Sequence, residues 1–282
     1  MKRRLVMRLV LLGDFHYSAL EEKDKSKDIE IFNTRDNYYE KVISEFLTTE
    51  GDYHISLGDI TNFGEKEELK YVFKSMKKDN VNFIYVIGNH DSYNSSKKEI
   101  LREVNQKRYF SILEEGIKLI FIDSTLESNR ECWAGSIDED QLKWLENEII
   151  SSKEETILIF SHHPAYNTTA LSTKENLYIK EIDELNRILE LHKGRGVFFC
   201  GHNHLNSIIK RENWLFVQTG AILDINAFRV VDINEDNIDI HYKEIEDVNN
   251  ISKFIGENMN YFMIKEDARG REEDRVLLVS NL

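Results

Sequence analysis

The stretch Leu9-Val10-Leu11-Leu12-Gly13-Asp14-Phe15-His16 decides how this chain is read. Four aliphatic residues in a row, too few for a helix and apolar enough for a strand buried on both faces, run into a glycine, an acid and an imidazole. The phrase returns along the chain. Residues 54–57 precede Gly58-Asp59, and 83–87 precede Gly88-Asn89-His90-Asp91. Residues 157–160 precede Ser161-His162-His163-Pro164, and 197–200 precede Gly201-His202-Asn203-His204. A further run, 119–122, ends at Asp123.

Between these runs the apolar residues change to helical spacing. Tyr39, Val42, Ile43 and Phe46 form one stripe within 38–47, and Leu69, Val72, Phe73 and Met76 form another within 67–78. Ser136 with Glu139 reads as a capping box before Leu142, Leu145 and Ile149, and residues 182–191 read as a further amphipathic helix. Strand and helix thus alternate to about residue 200, the pattern of an α/β layered fold. After His204 the texture changes. Strand-like runs at 214–219, 228–233 and 237–242 follow one another without a helix, which points to a C-terminal, more antiparallel β-layer. Residues 1–245 are expected to form the main domain. Residues 246–282 read as an appendage of unknown role, with a last strand near 275–280. The charge-dense segment 21–30 reads as a solvated loop at the rim of whatever site the first motif builds.

Composition narrows the function. In 282 residues, 37 Lys plus Arg stand against 51 Asp plus Glu, a formal charge of −14. Such a surface has no general electrostatic grip on nucleic acid, so a polymer substrate is disfavoured. Cys132 and Cys200 are too few for a disulfide framework. The basic start Met1-Lys2-Arg3-Arg4 leads into an apolar run interrupted by Arg8, and no stretch approaches the roughly 18 apolar residues of a membrane span. The expectation is a soluble, cytoplasmic protein with no membrane partner.

Six of the nine histidines fall in the five motifs: His16, His90, His162, His163, His202 and His204. In open α/β sheets ligands bind beyond the carboxyl ends of the strands, and every motif sits at such an end. Loops there can gather positions 14, 59, 89, 162 and 202 despite their separation. Strand alternation would turn Asp14 and His16 the same way, and His202 and His204 likewise, making two claws. Carboxylate, carboxamide and imidazole without thiolate suit manganese, iron or zinc. Two such ions need a bridging ligand, for which Asp59 is the candidate. The pair would activate a bridging water as nucleophile for in-line attack on a phosphoester. His90 would act as a cation or as proton donor to the leaving group. His163 and Asp123 read as supports for ligands or turns, and the Cys132-Trp133 loop is within reach of a substrate.

In order and spacing, D-x-H, G-D, G-N-H-D, H and G-H-x-H over residues 14–204 resemble the calcineurin-like metallophosphoesterase superfamily. The stretch from Ile122-Asp123-Ser124 to Gly135, then Gln141 to Leu145, and His162-His163-Pro164, resemble its branch related to bacterial cyclic-nucleotide phosphodiesterases. The resemblance implies a four-layer α/β-β-α sandwich and a dinuclear centre. One metal ion would be held by Asp14, His16, Asp59 and His204. The other would be held by Asp59, Asn89, His162 and His202, with His90 near the scissile phosphate. The substrate implied is a small phosphodiester or phosphomonoester. Asn62 departs from the protein-phosphatase pattern, where an aspartate pairs with the catalytic histidine, and from the purple acid phosphatases, where a tyrosine ligates iron. Two other readings compete: a nuclease-type phosphodiesterase, and a metal-binding scaffold for protein interaction such as fold relatives become after losing ligands. None of the implied ligands is missing here.

Overall fold

The computed structural model describes residues 5–19, 29–127, 129–152, 155–259 and 262–280. The charge-dense segment lies outside them apart from residues 29 and 30, which begin a helix. In chain order the first half runs β1 (Leu5–Leu12), α1 (Ile29–Thr48), β2 (Tyr53–Ser56), α2 (Lys66–Met76), β3 (Phe83–Tyr85), α3 (Lys97–Val104), β4 (Phe110–Glu114), β5 (Ile117–Phe121) and α4 (Glu139–Ser151). The second half runs β6 (Thr156–Phe160), α5 (Ile182–Glu190), β7 (Gly196–Cys200), β8 (Ser207–Arg211), β9 (Trp214–Gln218), α6 (Ile222–Ile225), β10 (Ala227–Asn234), β11 (Asn237–Glu244), α7 (Asn249–Glu257) and β12 (Leu277–Ser280).

Two mixed sheets of six strands form, ordered β12-β11-β10-β1-β2-β3 and β4-β5-β6-β7-β9-β8. The apolar runs explain the layering. Leu9 and Leu11 of β1 join Leu158 and Phe160 of β6 and Val197 and Phe199 of β7 in a core between the sheets. The alternate residues face outward and are covered too. Val10 and Leu12 meet α1, α2 and α7, while Ile157, Ile159 and Phe198 meet α4 and α5. Each central strand is buried on both faces, which is why its sequence is continuous rather than alternating. Phe110, Phe121, Phe160 and Phe199 stack across β4 to β7 at 4.8, 4.9 and 5.2 Å. The result is the expected four-layer sandwich.

The C-terminal strands do not form a layer of their own. β9 pairs parallel with β7 in the second sheet, whereas β10 pairs antiparallel with β1 and carries β11 and β12 onto the edge of the first. Short connections suffice for this, because antiparallel neighbours need no crossover helix. Two local expectations also shift. α4 is capped by Asp138, whose carboxylate accepts from the Gln141 amide at 3.0 Å. Ser136 instead donates to Glu181 at 2.8 Å, and the other oxygen of Glu181 accepts from Ile137 N. That clamp holds residues 136–137 off the helix axis, so the helix begins later. No helix among the described residues is long and apolar enough to cross a membrane.

Candidate metal centre

β1 delivers Asp14 and His16, and the loop after β2 brings Asp59 against them. The amides of Phe15 and His16 both donate to the Asp59 carbonyl at 2.9 Å. Gly58 has φ +99°, a region glycine takes without steric cost. Gly88, after β3, passes so close that a Cβ there would sit 2.0 Å from Asp59 N. β6 contributes His162, and β7 contributes His202 and His204. His16, Asp59, His202 and His204 all have left-handed backbone, with φ of +49°, +48°, +68° and +57°. Each such non-glycine residue costs on the order of 1–3 kcal/mol, and this kind of strain gathers at functional sites.

The side chains converge as two groups around one carboxylate. In one group His16 Nε2 lies 3.0 Å from His204 Nε2, and Asp14 Oδ1 lies 3.9 Å from that same His204 nitrogen. In the other, His162 Nε2 lies 3.0 Å from Asn89 Oδ1 and 3.3 Å from His202 Nδ1. Asp59 Oδ2 stands between them, 3.8 Å from His16 Nε2 and 3.3 Å from His162 Nε2. Asp14 lies beside this pair, and its Oδ1 is also 3.9 Å from His162 Nδ1. Strand alternation would give His202 and His204 one target, but their left-handed backbone sends them to opposite groups.

The imidazoles are oriented from behind. His162 Nδ1 lies 2.8 Å from the Leu57 carbonyl, and His202 Nε2 lies 3.0 Å from the Asn176 carbonyl. A carbonyl only accepts, so these outer nitrogens carry the proton and the inner ones are bare lone pairs in the neutral rings. In the neutral ring, the inner lone pair of His162 thus faces the oxygens of Asn89 and Asp59. A cation resolves that crowding, and the donor set fits manganese, iron or zinc. Burial sets the protonation. It holds His16 well below the usual imidazole value, aided by His90. It also pushes His202 down to about 3, aided by His162, leaving both in the ligating form. Burial alone would keep Asp59 protonated, but His162 and His90 overcome it and hold the carboxyl well below its usual range. At His162 burial likewise loses to Asp59, and the ring is pushed up to about 9. There a proton stands where positive charge is wanted.

His90 donates from Nδ1 to the Asn62 carbonyl at 2.8 Å, and its amide donates to Asp59 Oδ1 at 2.8 Å. The carboxylate missing at position 62 is thus replaced by a backbone oxygen of the same residue. His163 has both nitrogens engaged, with Ser124 Oγ at 2.9 Å and the Trp133 carbonyl at 3.1 Å. It supports the cage from outside, its ring 4.1 Å from that of His202. Asp123 pairs with Lys97 and Arg108, away from the cage.

Three further residues support the candidate cage, and of them Asp91 alone lies in a sequence motif. Asp91 accepts from Thr61 N and Oγ1, Tyr85 OH and Gly88 N, stapling the loops that carry Asp59 and Asn89. Tyr93 accepts from Asn89 Nδ2 at 2.8 Å, which turns the amide oxygen inward. Asp224 faces His204 Nδ1 at 3.6 Å. Beyond the cage a cleft of about 360 Å³ opens, walled by Phe63, Tyr93, Arg130, Trp133, Leu177, Met263 and Lys265.

A family model described as calcineurin-like phosphoesterase matches residues 7–206, and the chain belongs to that family. A probable glycerophosphodiester phosphodiesterase of Arcobacter nitrofigilis is 29% identical over 163 residues, 56% of this chain and 58% of its own length. The chain therefore spans little more than half of that relative. A probable cyclic nucleotide phosphodiesterase of Xenorhabdus bovienii is 28% identical over 204 residues, 71% of this chain and 79% of its own. Among solved structures, a dimetal phosphatase from Danio rerio superposes with a TM-score of 0.69 at 16% identity, covering 86% of this chain and 97% of that one. A purple acid phosphatase from yellow lupin (Lupinus luteus) seeds gives 0.56 at 12% identity, covering 86% and 52%. These two likenesses are of fold.

Proposed function

We propose that the chain is a hydrolase of small phosphodiesters or phosphomonoesters that works with two cations. Asp14, His16, Asp59 and His204 would hold one, and Asp59, Asn89, His162 and His202 the other. The observation that carries this is the position of Asp59 Oδ2, within 3.8 Å of His16 Nε2 and 3.3 Å of His162 Nε2. One oxygen flanked by two ligand groups is what a bridging carboxylate requires. Bound there, two divalent or mixed-valence ions supply an activated water nucleophile and positive charge for the phosphoryl oxygens.

The chain's own residues do the rest. Asp59 stays ionised because imidazoles surround it. His90, anchored through Nδ1, presents Nε2 to the cleft. Burial lowers its pKa, and an incoming phosphoester anion works the other way. Once charged, His90 donates its Nε2 proton to the leaving alkoxide. Asn62 keeps the ring in register through its carbonyl. Trp133, Leu177 and Met263 add apolar surface to the cleft wall.

Among the described residues, Arg130 and Lys265 are the cationic side chains on the cleft wall. That is enough for one phosphoryl group and short of the basic track a polynucleotide needs, which supports a small substrate over the nuclease reading. The names of the two relatives support a diester. The test is hydrolysis of bis-p-nitrophenyl phosphate with added manganese. Turnover lost in both Asp59→Ala and His202→Ala is expected, and unchanged turnover in the two pure variants overturns the proposal.

A further inference from the structure

Among the described residues beyond 245, Phe262 meets the candidate cage at His16 and His204. α7 packs against α1 through Ile255 in the outer core of the first sheet. Past it, Phe262 stacks on the His204 ring at 5.3 Å and 29°. The same side chain sets its edge to His16 at 5.3 Å and 74°. Three residues on, the Lys265 amide donates to Asp224 Oδ1 at 3.1 Å. The other oxygen of that carboxylate, wholly buried, is the one facing His204 Nδ1 at 3.6 Å. The opposite half is supported differently. His162 and His202 pack on each other and on His163, and lean on the backbone carbonyls of Leu57 and Asn176.

We propose that segment 262–265 is a positioning brace for the half of the cage that contains His16 and His204, setting how tightly that half holds its cation. This rests on the two-cation function above. The physical basis is preorganisation. A ring clamped between the Phe262 face and the Asp224 carboxylate has already lost the rotational freedom that ligation would otherwise remove. A carboxylate 3.6 Å from the outer nitrogen also favours the tautomer that carries its proton there, which leaves the inner nitrogen free to ligate. His204 needs both supports because no backbone carbonyl is hydrogen-bonded to its outer nitrogen, in contrast to His162 and His202.

Titration of the metal-free full chain with manganese, followed by calorimetry, tests the brace. The wild-type chain is expected to take up two equivalents. Phe262→Ala is expected to weaken one of them about 10- to 100-fold, the usual effect of removing a group that orients a ligand, and to leave the other unchanged. Phe262→Leu should recover part of the loss. The near-isosteric Asp224→Asn should weaken the same equivalent, which keeps the test independent of any packing defect at 262. In a His204→Ala background, Phe262→Ala should weaken that equivalent less than it does in the wild-type chain, because only the His16 contact remains to be lost. Two wild-type equivalents that both persist unaltered in Phe262→Ala and Asp224→Asn, or that weaken together, overturn the brace alone. A wild-type chain that takes up fewer than two equivalents overturns the two-cation function beneath it.

Discussion

The backbone amide of His202 donates to both carboxylate oxygens of Asp14, at 3.0 and 3.1 Å. These residues follow β7 of the second sheet and β1 of the first, 188 positions apart. The contact ties the two sheets together where the cage sits, so the same bond serves folding and ligand placement. Gly201 makes the approach possible, since a Cβ there would lie 2.7 Å from Asp14 Oδ2. Gly201→Ala is therefore expected to push Asp14 out of place and weaken metal binding about 10-fold or more, the range seen when a ligand's support is lost. Metal titration checks this, and wild-type affinity in the variant contradicts it.

Asp91 is a prediction about stability. Its carboxylate accepts four hydrogen bonds from Thr61, Tyr85 and Gly88. In Asp91→Asn one oxygen becomes an N–H₂ donor and meets the Gly88 amide or the Tyr85 hydroxyl. The cost expected is about 1–3 kcal/mol for groups left unsatisfied in the interior. Chemical denaturation measures it, and a difference under about 0.5 kcal/mol, typical of surface changes, contradicts it.

Acid sensitivity follows from histidines away from the cage. Burial holds both His54 and His192 below the usual imidazole value. A base whose pKa is depressed by folding contributes stability above its unfolded value, about 6.5, and loses it as pH falls toward the folded value. The metal-free chain is thus expected to melt at lower temperature at pH 5.5 than at pH 7.5. The double variant His54→Gln, His192→Gln should show a smaller drop, and an equal drop in both proteins contradicts the assignment.

Lys265 lines the cleft beside the residues of the proposed brace. Lys265→Gln is expected to raise KM for an anionic phosphoester several-fold with kcat kept, the signature of lost uniform binding. The difference from wild type should shrink as salt screens the charge. Steady-state kinetics at two ionic strengths decide it, and a fall in kcat with KM unchanged contradicts it.

The strand ends were legible in the sequence because chemistry and architecture coincide there. An apolar run followed by Gly-Asp or Gly-His marks both a buried strand and its carboxyl end, so Asp59 and His202 could be placed before any coordinates. What lay beyond reach were contacts whose chemistry resides in the backbone or in unmarked residues. The Leu57 and Asn176 carbonyls orient two ligands without any requirement on side-chain type. At position 62 the departure from the two phosphatase patterns lies in the side chain, while the contact with His90 Nδ1 is made by the backbone carbonyl. Asp224 and Phe262 carry no motif and act only through tertiary packing. His16, His202 and His204 all leave their strands in left-handed backbone, so strand alternation does not decide where they point, and non-glycine residues do not advertise that conformation.

The central claim is that Asp59 lies between two cations. A crystal of the full chain grown with manganese, with anomalous scattering recorded at the metal edge, tests it directly. Two peaks about 3.5–4 Å apart, one beside His16 and His204 and one beside His162 and His202, are predicted, with the Asp59 carboxylate bridging them. A single peak, or two peaks that Asp59 does not join, in crystals of protein that hydrolyses phosphoesters would contradict the account.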